Sequence, residues 1–292
     1  MYIIYKMKNR VVLRYLFALC LYGTIGFFLH FVDYSSEFVV LCRGLLGSLF
    51  IFLVLRFRKE KTDPAAIKRN LLRLAVSGIA LGFNWVFLFA GYRYGIALSS
   101  LCNYIAPVIV VMITSLFYKE HINIRQVFCI IAAFTGMLLL LGIFEGNTET
   151  DTHAVVYGLL AAIGFVILVL CNRRMEDIEA LDKTLIQLLF SAAVVFPYVL
   201  LNSGFPTAFD LTSALIVLML GFLHTGVAYI CYFSSINVLP AQSIAVLGYL
   251  EPVLNLLIGS LILHERIGIA GIVGAALIIL ASIGNELFAD RS

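Results

Sequence analysis

Ten apolar runs, each close to the length that crosses a lipid bilayer, fill this chain almost end to end. They fall at about 11–32, 37–57, 71–91, 96–117, 123–144, 154–171, 183–202, 211–233, 241–262 and 267–288, separated by charged or Gly/Pro/Asn punctuation. A crossing helix needs about 20 apolar residues, so ten of them with short connections use up all 292 residues and leave nothing for a soluble domain. Composition points the same way, with 62% of residues hydrophobic and only 13% charged, about half the charged share of an ordinary soluble protein. Twenty basic and 17 acidic residues gathered into short clusters cannot clothe a soluble core. Disorder and nucleic-acid binding are excluded, and the expected fold class is an all-α integral membrane protein with ten transmembrane helices.

Basic residues set the expected orientation. Lys6, Lys8, Arg10 and Arg14 precede the first run as in a signal peptide, but the run is too long and lacks a small-residue cleavage site, so it is expected to be retained. With the N-terminus in the cytoplasm, 17 of the 20 Lys and Arg residues fall on the cytoplasmic side, and only Arg93 and Arg266 fall outside. That bias is a strong positive-inside signal, with both termini cytoplasmic. The 56–73 connection is most simply such an orientation signal beside anionic lipid. All six cysteines lie in or at the ends of apolar segments without paired metal-ligand spacing, so they read as buried hydrophobes, and no metal or cofactor is expected.

The sequence also repeats. Sliding the chain by 145 residues aligns YIAPVIVVMITSLFYKEHINI (104–124) with YLEPVLNLLIGSLILHERIGI (249–269), with 9 of 21 positions identical. Aliphatic matches come cheaply in such a chain, but coincident Tyr, Pro, Ser and Glu do not. An offset of 144 pairs Trp85 with Tyr229, and one of 143 pairs Ala132–Ala133 with Ala275–Ala276. The expected organisation is a first five-helix repeat over 1–146 and a second over 147–292. Five is odd, so the second copy must cross the membrane in the opposite sense. Inverted repeats of this kind are a signature of secondary transporters.

Ten spans in two halves, an Arg in the second span (Arg43 in LCRGLLGS) and the paired blocks Pro107…Lys119–Glu120 and Glu251–Pro252…His264–Glu265 resemble the EamA family of the drug/metabolite transporter superfamily. The resemblance covers essentially the whole chain. It implies a bacterial plasma-membrane permease with a central cavity lined by spans 1, 3, 4, 6, 8 and 9, with spans 5 and 10 as scaffold. It also implies a substrate among amino acids, amines, nucleosides, sugars and other metabolites, often moved outward.

Polar groups inside a membrane are expensive, so each is a functional candidate. Only Arg43 and Glu251 are charges well within spans. Glu251 precedes Pro252, whose ring and missing N–H should kink the helix and free carbonyls beneath it; Asn255 lies one turn on, on the same face. Glu251 reads either as proton carrier and counter-ion of a cationic substrate, or as a structural carboxylate bonded to a neighbouring helix. The repeat places Asn103 across the pseudo-axis, mirrors Pro107 on Pro252 and Tyr104 on Tyr249, and brings Trp85, Tyr229, Asn84 and His224 to the same neighbourhood. An aromatic pocket with one carboxylate and two or three amides suits an organic cation, an amino acid or a planar heterocycle. Chance pairing of 14 tyrosines is the competing account. Arg43 is expected to be structural, bonding carbonyls at the end of a neighbouring helix or snorkelling to pair with Asp33 or Glu37, with a substrate carboxylate as the minority reading.

His30, His121, His153 and His264 read as interface residues. Small-xxx-small patterns (Gly44xxxSer48, Ala132xxxGly136, Ala270xxxGly274) favour close packing within the chain, with a homodimer through spans 5 and 10 as the alternative. No Walker loop, dinucleotide fingerprint, HExxH or GxSxG is present, so an ion or substrate gradient must supply the energy. The expectation is a proton-coupled secondary transporter of a small polar metabolite, leaning to amines or amino acids, with sodium held by carbonyls freed near Pro107 or Pro252 as the alternative coupling ion. A facilitated exporter with Glu251 structural is the second reading, and a polytopic membrane enzyme or lipid-handling scaffold the third.

Overall fold

The computed structural model of the protein describes residues 2–58, 63–94, 96–118, 123–140, 151–208, 210–262 and 268–289. In an apolar solvent no water takes up a backbone N–H or C=O, so a chain of this composition must close those bonds within each segment, and it forms helices. The described residues contain no strand. In chain order the helices are α1 (Tyr2–Leu29), α2 (Ser36–Arg58), α3 (Pro64–Tyr92), α4 (Ile96–Asn103), α5 (Ala106–Tyr118), α6 (Ile124–Leu140), α7 (Thr152–Arg173), α8 (Ala180–Asn202) and α9 (Leu211–Gly221). A π-helical turn (Phe222–Val227) follows, then α10 (Ala228–Ile236), α11 (Ala241–Gly248), α12 (Leu250–Ile262) and α13 (Ile269–Ala289). Among the described residues seven stretches are long and apolar enough to cross a bilayer, two of them interrupted (Leu98–Phe117 and Leu211–Ile236), and three shorter apolar helices accompany them.

Connections gather at two ends of the bundle. At the first end the Tyr34 hydroxyl donates to the Asp210 carbonyl (3.0 Å), the Asp33 amide donates to Ser213 Oγ (2.9 Å), and Tyr94 stacks on His153 (4.9 Å between centroids). At the second end Arg69 pairs with Asp177 (3.1 Å), Asn70 Nδ2 donates to the Glu176 carbonyl (3.1 Å), and Ser235 Oγ donates to the Val11 carbonyl (3.3 Å). The 29 residues of α3 run from the second end to the first, about 43 Å at helical rise. Arg56, Lys68, Arg69, Arg73, Arg173 and Arg174 sit toward the second end, whereas Arg93 is at the first.

Helix starts at the ends are capped by aspartates. Asp63 accepts from the Ala65 amide (2.9 Å) ahead of Pro64, and Asp151 accepts from the His153 amide (2.7 Å). Asp210 accepts from the Ser213 amide (2.5 Å). Bonding to the His153 amide holds the Asp151 carboxyl below its usual range, and bonding to Ser213 does the same for Asp210. These caps are in place above the ordinary carboxylate range and are lost only as pH falls through the depressed values.

The bundle packs α3 along α7 and α8, α2 along α8, α1 along α10 and α12, and α6 along α13. Around its outside lie large apolar side chains such as Phe57, Leu116, Leu201 and Leu261, the surface a lipid solvent wets. All six cysteines are free; Cys102 and Cys129 are buried, but Cys20 faces outward rather than into the apolar interior expected of it. The small residues of α6 and α13 serve packing within the chain. A Cβ on Gly136 would lie 2.6 Å from the Gly274 carbonyl oxygen, and one on Gly274 would lie 2.3 Å from the Gly136 oxygen. Backbone cannot move aside as a flexible side chain can, so Gly274→Val should destabilise the protein by at least the roughly 1–3 kcal/mol typical of overpacking. A clearly lower melting midpoint in detergent is the expected result, and an unchanged midpoint would contradict this contact.

Two apolar helices are interrupted at repeat-related places. α4 gives way to α5 at Tyr104–Ile105, and α11 gives way to α12 at Tyr249. In each case a proline falls in the first turn of the resuming half: Pro107 is the second residue of α5 and Pro252 the third of α12. A first-turn proline costs little because its missing N–H would have had no helical partner. Carbonyls freed at the breaks are taken up locally. The Tyr249 hydroxyl donates to the Tyr104 carbonyl (2.9 Å), and Ser282 Oγ of α13 donates to the Val246 carbonyl (3.3 Å).

Candidate functional site

A cavity of about 520 Å³ lies in the middle of the bundle, walled by α1, α2, α3, α4, α5, α7, α10, α11 and α12 and by the α4–α5 break. Volumes of this order accommodate small-molecule ligands. Glu251 lines it from the first turn of α12, where a negative charge is favoured by the helix dipole. Its carboxylate makes no hydrogen bond or ion pair with a described residue. Opposite in the wall, Asn84 Nδ2 donates to Asn103 Oδ1 (3.0 Å) and to the Ala161 carbonyl of α7 (2.8 Å), so both amides are held at the point where α4 ends.

Aromatic rings supply much of the remaining wall. Trp85 and Tyr229, paired by the 144-residue offset, stack with centroids 6.0 Å apart and planes 12° from parallel. Tyr22 meets Tyr229 edge-on at 5.7 Å, and Tyr15 meets Tyr232 at 5.5 Å. The Tyr22 hydroxyl is buried and finds no partner among the described residues. Tyr15 donates to the Ile244 carbonyl (3.0 Å), tying α1 to α11.

Arg43 also lines the cavity, and its surroundings differ from those expected. Glu37, the proposed snorkelling partner, instead pairs with Arg93 at the first end. Arg43 is 7% exposed and turns inward, its Nε donating to Thr225 Oγ1 (3.1 Å) and its guanidinium carbon 5.6 Å from the Trp85 ring centre. The π-helical turn makes this anchor. Its wider spacing lets the Thr225 hydroxyl donate to the Leu220 carbonyl five residues back (3.0 Å) while accepting from Arg43. A Cβ on Gly47 would lie 2.8 Å from the Thr225 methyl, so glycine at that position gives Thr225 its place.

Of the residues singled out in the sequence, Glu251, Asn103, Trp85, Tyr229, Tyr104, Asn84 and Pro107 share the cavity wall. Tyr249 does not; fully buried at the α11–α12 break, it bonds the Tyr104 carbonyl. His224 does not either. Its Nε2 lies 2.8 Å from Thr24 Oγ1, which donates to the Leu21 carbonyl (2.7 Å), so the imidazole ties the π turn to α1. Pro252 is buried beside the break and outside the wall. The side chain of Asn255, and Lys119, Glu120, His121, His264 and Glu265, fall outside the described residues. Tyr15, Tyr22, Tyr92, Tyr232 and Ser100 join the wall without having been singled out. For α1 a signal existed: Tyr15, Leu19, Tyr22, Gly26 and Leu29 recur at helical spacing along one stripe.

The wall is sealed toward the second end, where Phe233, Ala241 and Val169 are all at 0% exposure, while Gly26, Leu29 and Tyr92 toward the first end are partly exposed. Each end carries a latch. At the first, Glu37 in the opening turn of α2 pairs with Arg93 at the C-cap of α3. At the second, Lys183 in the opening turn of α8 meets Asn237 at the C-cap of α10. With the Asn237 amide oriented to satisfy its neighbours, its oxygen accepts from Lys183 Nζ (2.6 Å) and its nitrogen donates to the Asn172 carbonyl (3.2 Å). Arg173 adds a bond to the Leu239 carbonyl (3.0 Å). Arg93 and Asn237 are 144 residues apart, the offset of Trp85 and Tyr229, and Glu37 is 145 from Asp182 beside Lys183.

An all-helical, multi-pass membrane protein with interrupted helices around a central polar and aromatic cavity belongs structurally to the membrane transporters. The sequence pattern of the EamA-like transporter family matches residues 9–142 and again 152–285, and the chain belongs to that family. It is 27% identical to the uncharacterized transporter YxxF of Bacillus subtilis (strain 168), over 96% of this chain and 93% of that one. It is 25% identical to the protein PecM of Dickeya dadantii, over 91% and 89%, and 24% identical to the protein RarD of Salmonella typhimurium, over 87% and 86%. A protein crystal structure of 18% sequence identity shares the fold with a TM-score of 0.82, covering 96% of this chain and 99% of the other.

Proposed function

We propose that the protein is a secondary active transporter of the bacterial plasma membrane that moves a small polar metabolite bearing a cationic group, an amine or an amino acid, and exchanges it for a proton at Glu251. The observation that carries this reading is a carboxylate with no hydrogen-bond or ion-pair partner among the described residues, in the wall of a ring-lined cavity at the middle of the bundle. One carboxylate binds either a proton or an ammonium group, and competition between the two is the simplest form of coupled exchange. Trp85, Tyr229 and Tyr22 offer ring faces and edges to the same cation, and the Asn84–Asn103 pair offers amide groups to its polar neighbours.

Ten spans in two inverted five-helix repeats, 1–146 and 147–292, make the cavity alternately accessible. The two matches of the family pattern and the repeat-related helix breaks support this arrangement. Basic residues mark the second end as the cytoplasmic face, which puts both termini there. A wall sealed at that end and partly exposed at the other is then an outward-facing state. Lys183–Asn237 lies at the sealed end and is a natural place for that end to part, whereas the Glu37–Arg93 pair is made while the wall at its own end is partly exposed, so it ties α2 to α3 without closing the cavity.

The test is a thermal-shift screen of purified protein against amines, amino acids, nucleosides and sugars, repeated with Glu251→Gln. A cationic ligand is expected to raise the melting midpoint of the native protein, less so as pH falls and protons compete, and to lose most of its effect in the variant. Equal stabilisation of both forms by an amine would remove Glu251 as counter-ion and leave it structural.

A further inference from the structure

Arg43 is the second charge in the cavity wall, and a counter-ion role for Glu251 leaves it without a task. An unneutralised guanidinium inside the membrane is costly unless something pairs with it. Among the described residues no carboxylate does so: Glu37 is taken by Arg93, and no ion pair joins Arg43 to Glu251 although both line one cavity. The single side-chain bond of Arg43 runs through Nε to Thr225, itself fixed by the Leu220 carbonyl. That bond orients the guanidinium while its two terminal amino groups keep no acceptor among the described residues. A fork of N–H donors held by its stem and open at its tip is the geometry that grips a carboxylate with two parallel bonds. Trp85 supports it from one side, and the unpartnered Tyr22 hydroxyl adds a further donor to the same wall.

We infer that Arg43 holds the carboxylate of a zwitterionic, amino-acid-like substrate whose ammonium group meets Glu251. The inference rests on the cavity being the substrate site. Two opposite charges that line one cavity without an ion pair between them are each left to a ligand, and a ligand carrying both charges neutralises both at once. Its side chain lies among Trp85, Tyr229 and Tyr232, so apolar and aromatic bodies fit better than a third charge. The same arrangement discriminates against simple amines, which leave the guanidinium unpaired in a low-dielectric cavity, and against simple acids, which leave the carboxylate unpaired.

The experiment compares binding of matched probes to the full-length protein in detergent by calorimetry. One series is leucine, 3-methylbutylamine and 4-methylpentanoate; the other is phenylalanine, phenylethylamine and 3-phenylpropionate. At least one zwitterion is expected to bind about tenfold or more tightly than either of its single-charge analogues. Arg43→Gln should erase the advantage over the amine and leave amine affinity within about twofold, whereas Glu251→Gln should erase the advantage over the acid. Arg43→Lys keeps a cation without the fork and should keep the order of preference with weaker zwitterion binding, which guards against a misfolded glutamine variant. An amine that binds native protein as tightly as its zwitterion overturns the role of Arg43 and leaves the cavity reading standing. No binding by any of the six probes overturns the zwitterion inference. Binding unaffected by Trp85→Ala, Arg43→Gln and Glu251→Gln alike places the ligand elsewhere and removes the cavity reading with it.

Discussion

In sealed proteoliposomes with an acidic lumen, native protein is expected to accumulate its substrate against a concentration gradient, and Glu251→Gln is expected to abolish that accumulation. One proton exchanged for one substrate converts each unit of pH difference into about tenfold accumulation, because about 1.4 kcal/mol corresponds to a factor of ten. Glutamine keeps the size and hydrogen bonding of the side chain and loses the proton, so the accumulation ratio should fall from about tenfold per pH unit to about one. A residual downhill flux separates loss of coupling from loss of folding, since a collapsed protein would carry nothing. Collapse of the pH gradient by an ionophore should reduce native accumulation to the level of the variant. Undiminished gradient-driven accumulation by Glu251→Gln would sink proton exchange at this residue. The cavity would still be a binding site, and Glu251 would take its second reading as a structural carboxylate.

Much of this architecture was legible because bilayer chemistry is severe. Apolar length and the absence of unsatisfied backbone foretold helices, and the 145-residue repeat paired Tyr104 with Tyr249, which the structure places at the two helix breaks and in contact. Proline marked both breaks, although the chain interrupts just ahead of each ring rather than at it. Harder to read was Arg43. Sequence distance suggested Asp33 or Glu37 as partners, but Glu37 is claimed by Arg93 from a different helix, 56 residues away. Nothing in the run LGFLHTGVAY distinguishes a π turn from ordinary helix, and that one extra residue per turn is what aims Thr225 at Arg43. The repeat brought His224 to the cavity's neighbourhood, yet the same turn points it at Thr24 of α1 rather than into the cavity. Single residues are readable from composition; the direction they face depends on local helical pitch, which the apolar pattern does not encode.

The latches were invisible in the same way, because each joins the opening turn of one helix to the last turn of another and neither end carries a local motif. They are chemically unequal. Glu37–Arg93 pairs a buried carboxylate with a half-exposed guanidinium, an interaction that water and salt screen. Lys183 is 1% exposed, and the amide oxygen of Asn237 and its neighbourhood replace the water it has lost. Parting the second latch must therefore rehydrate a buried ammonium group, whereas parting the first frees a guanidinium already half in solvent and leaves the buried Glu37 carboxylate without its partner.

Locking the second end should stop transport altogether. Ser235 Oγ donates to the Val11 carbonyl (3.3 Å), so α1 and α10 approach closely where the cavity is sealed. With the six native cysteines replaced, Val11→Cys combined with Ser235→Cys is expected to cross-link under mild oxidation and to reduce transport to background. Each single substitution should remain insensitive to oxidant, and a thiol reductant should restore the double variant. Substrate binding from the first end should survive the cross-link, because the cavity and Glu251 lie beyond it and the wall there is already partly exposed. The contrast between lost turnover and retained binding is the informative result. A channel-like path or a fixed scaffold needs no separation of α1 from α10 and would carry on when linked. Turnover at the native rate by fully cross-linked protein would therefore end the alternating-access reading, whatever the fate of Glu251.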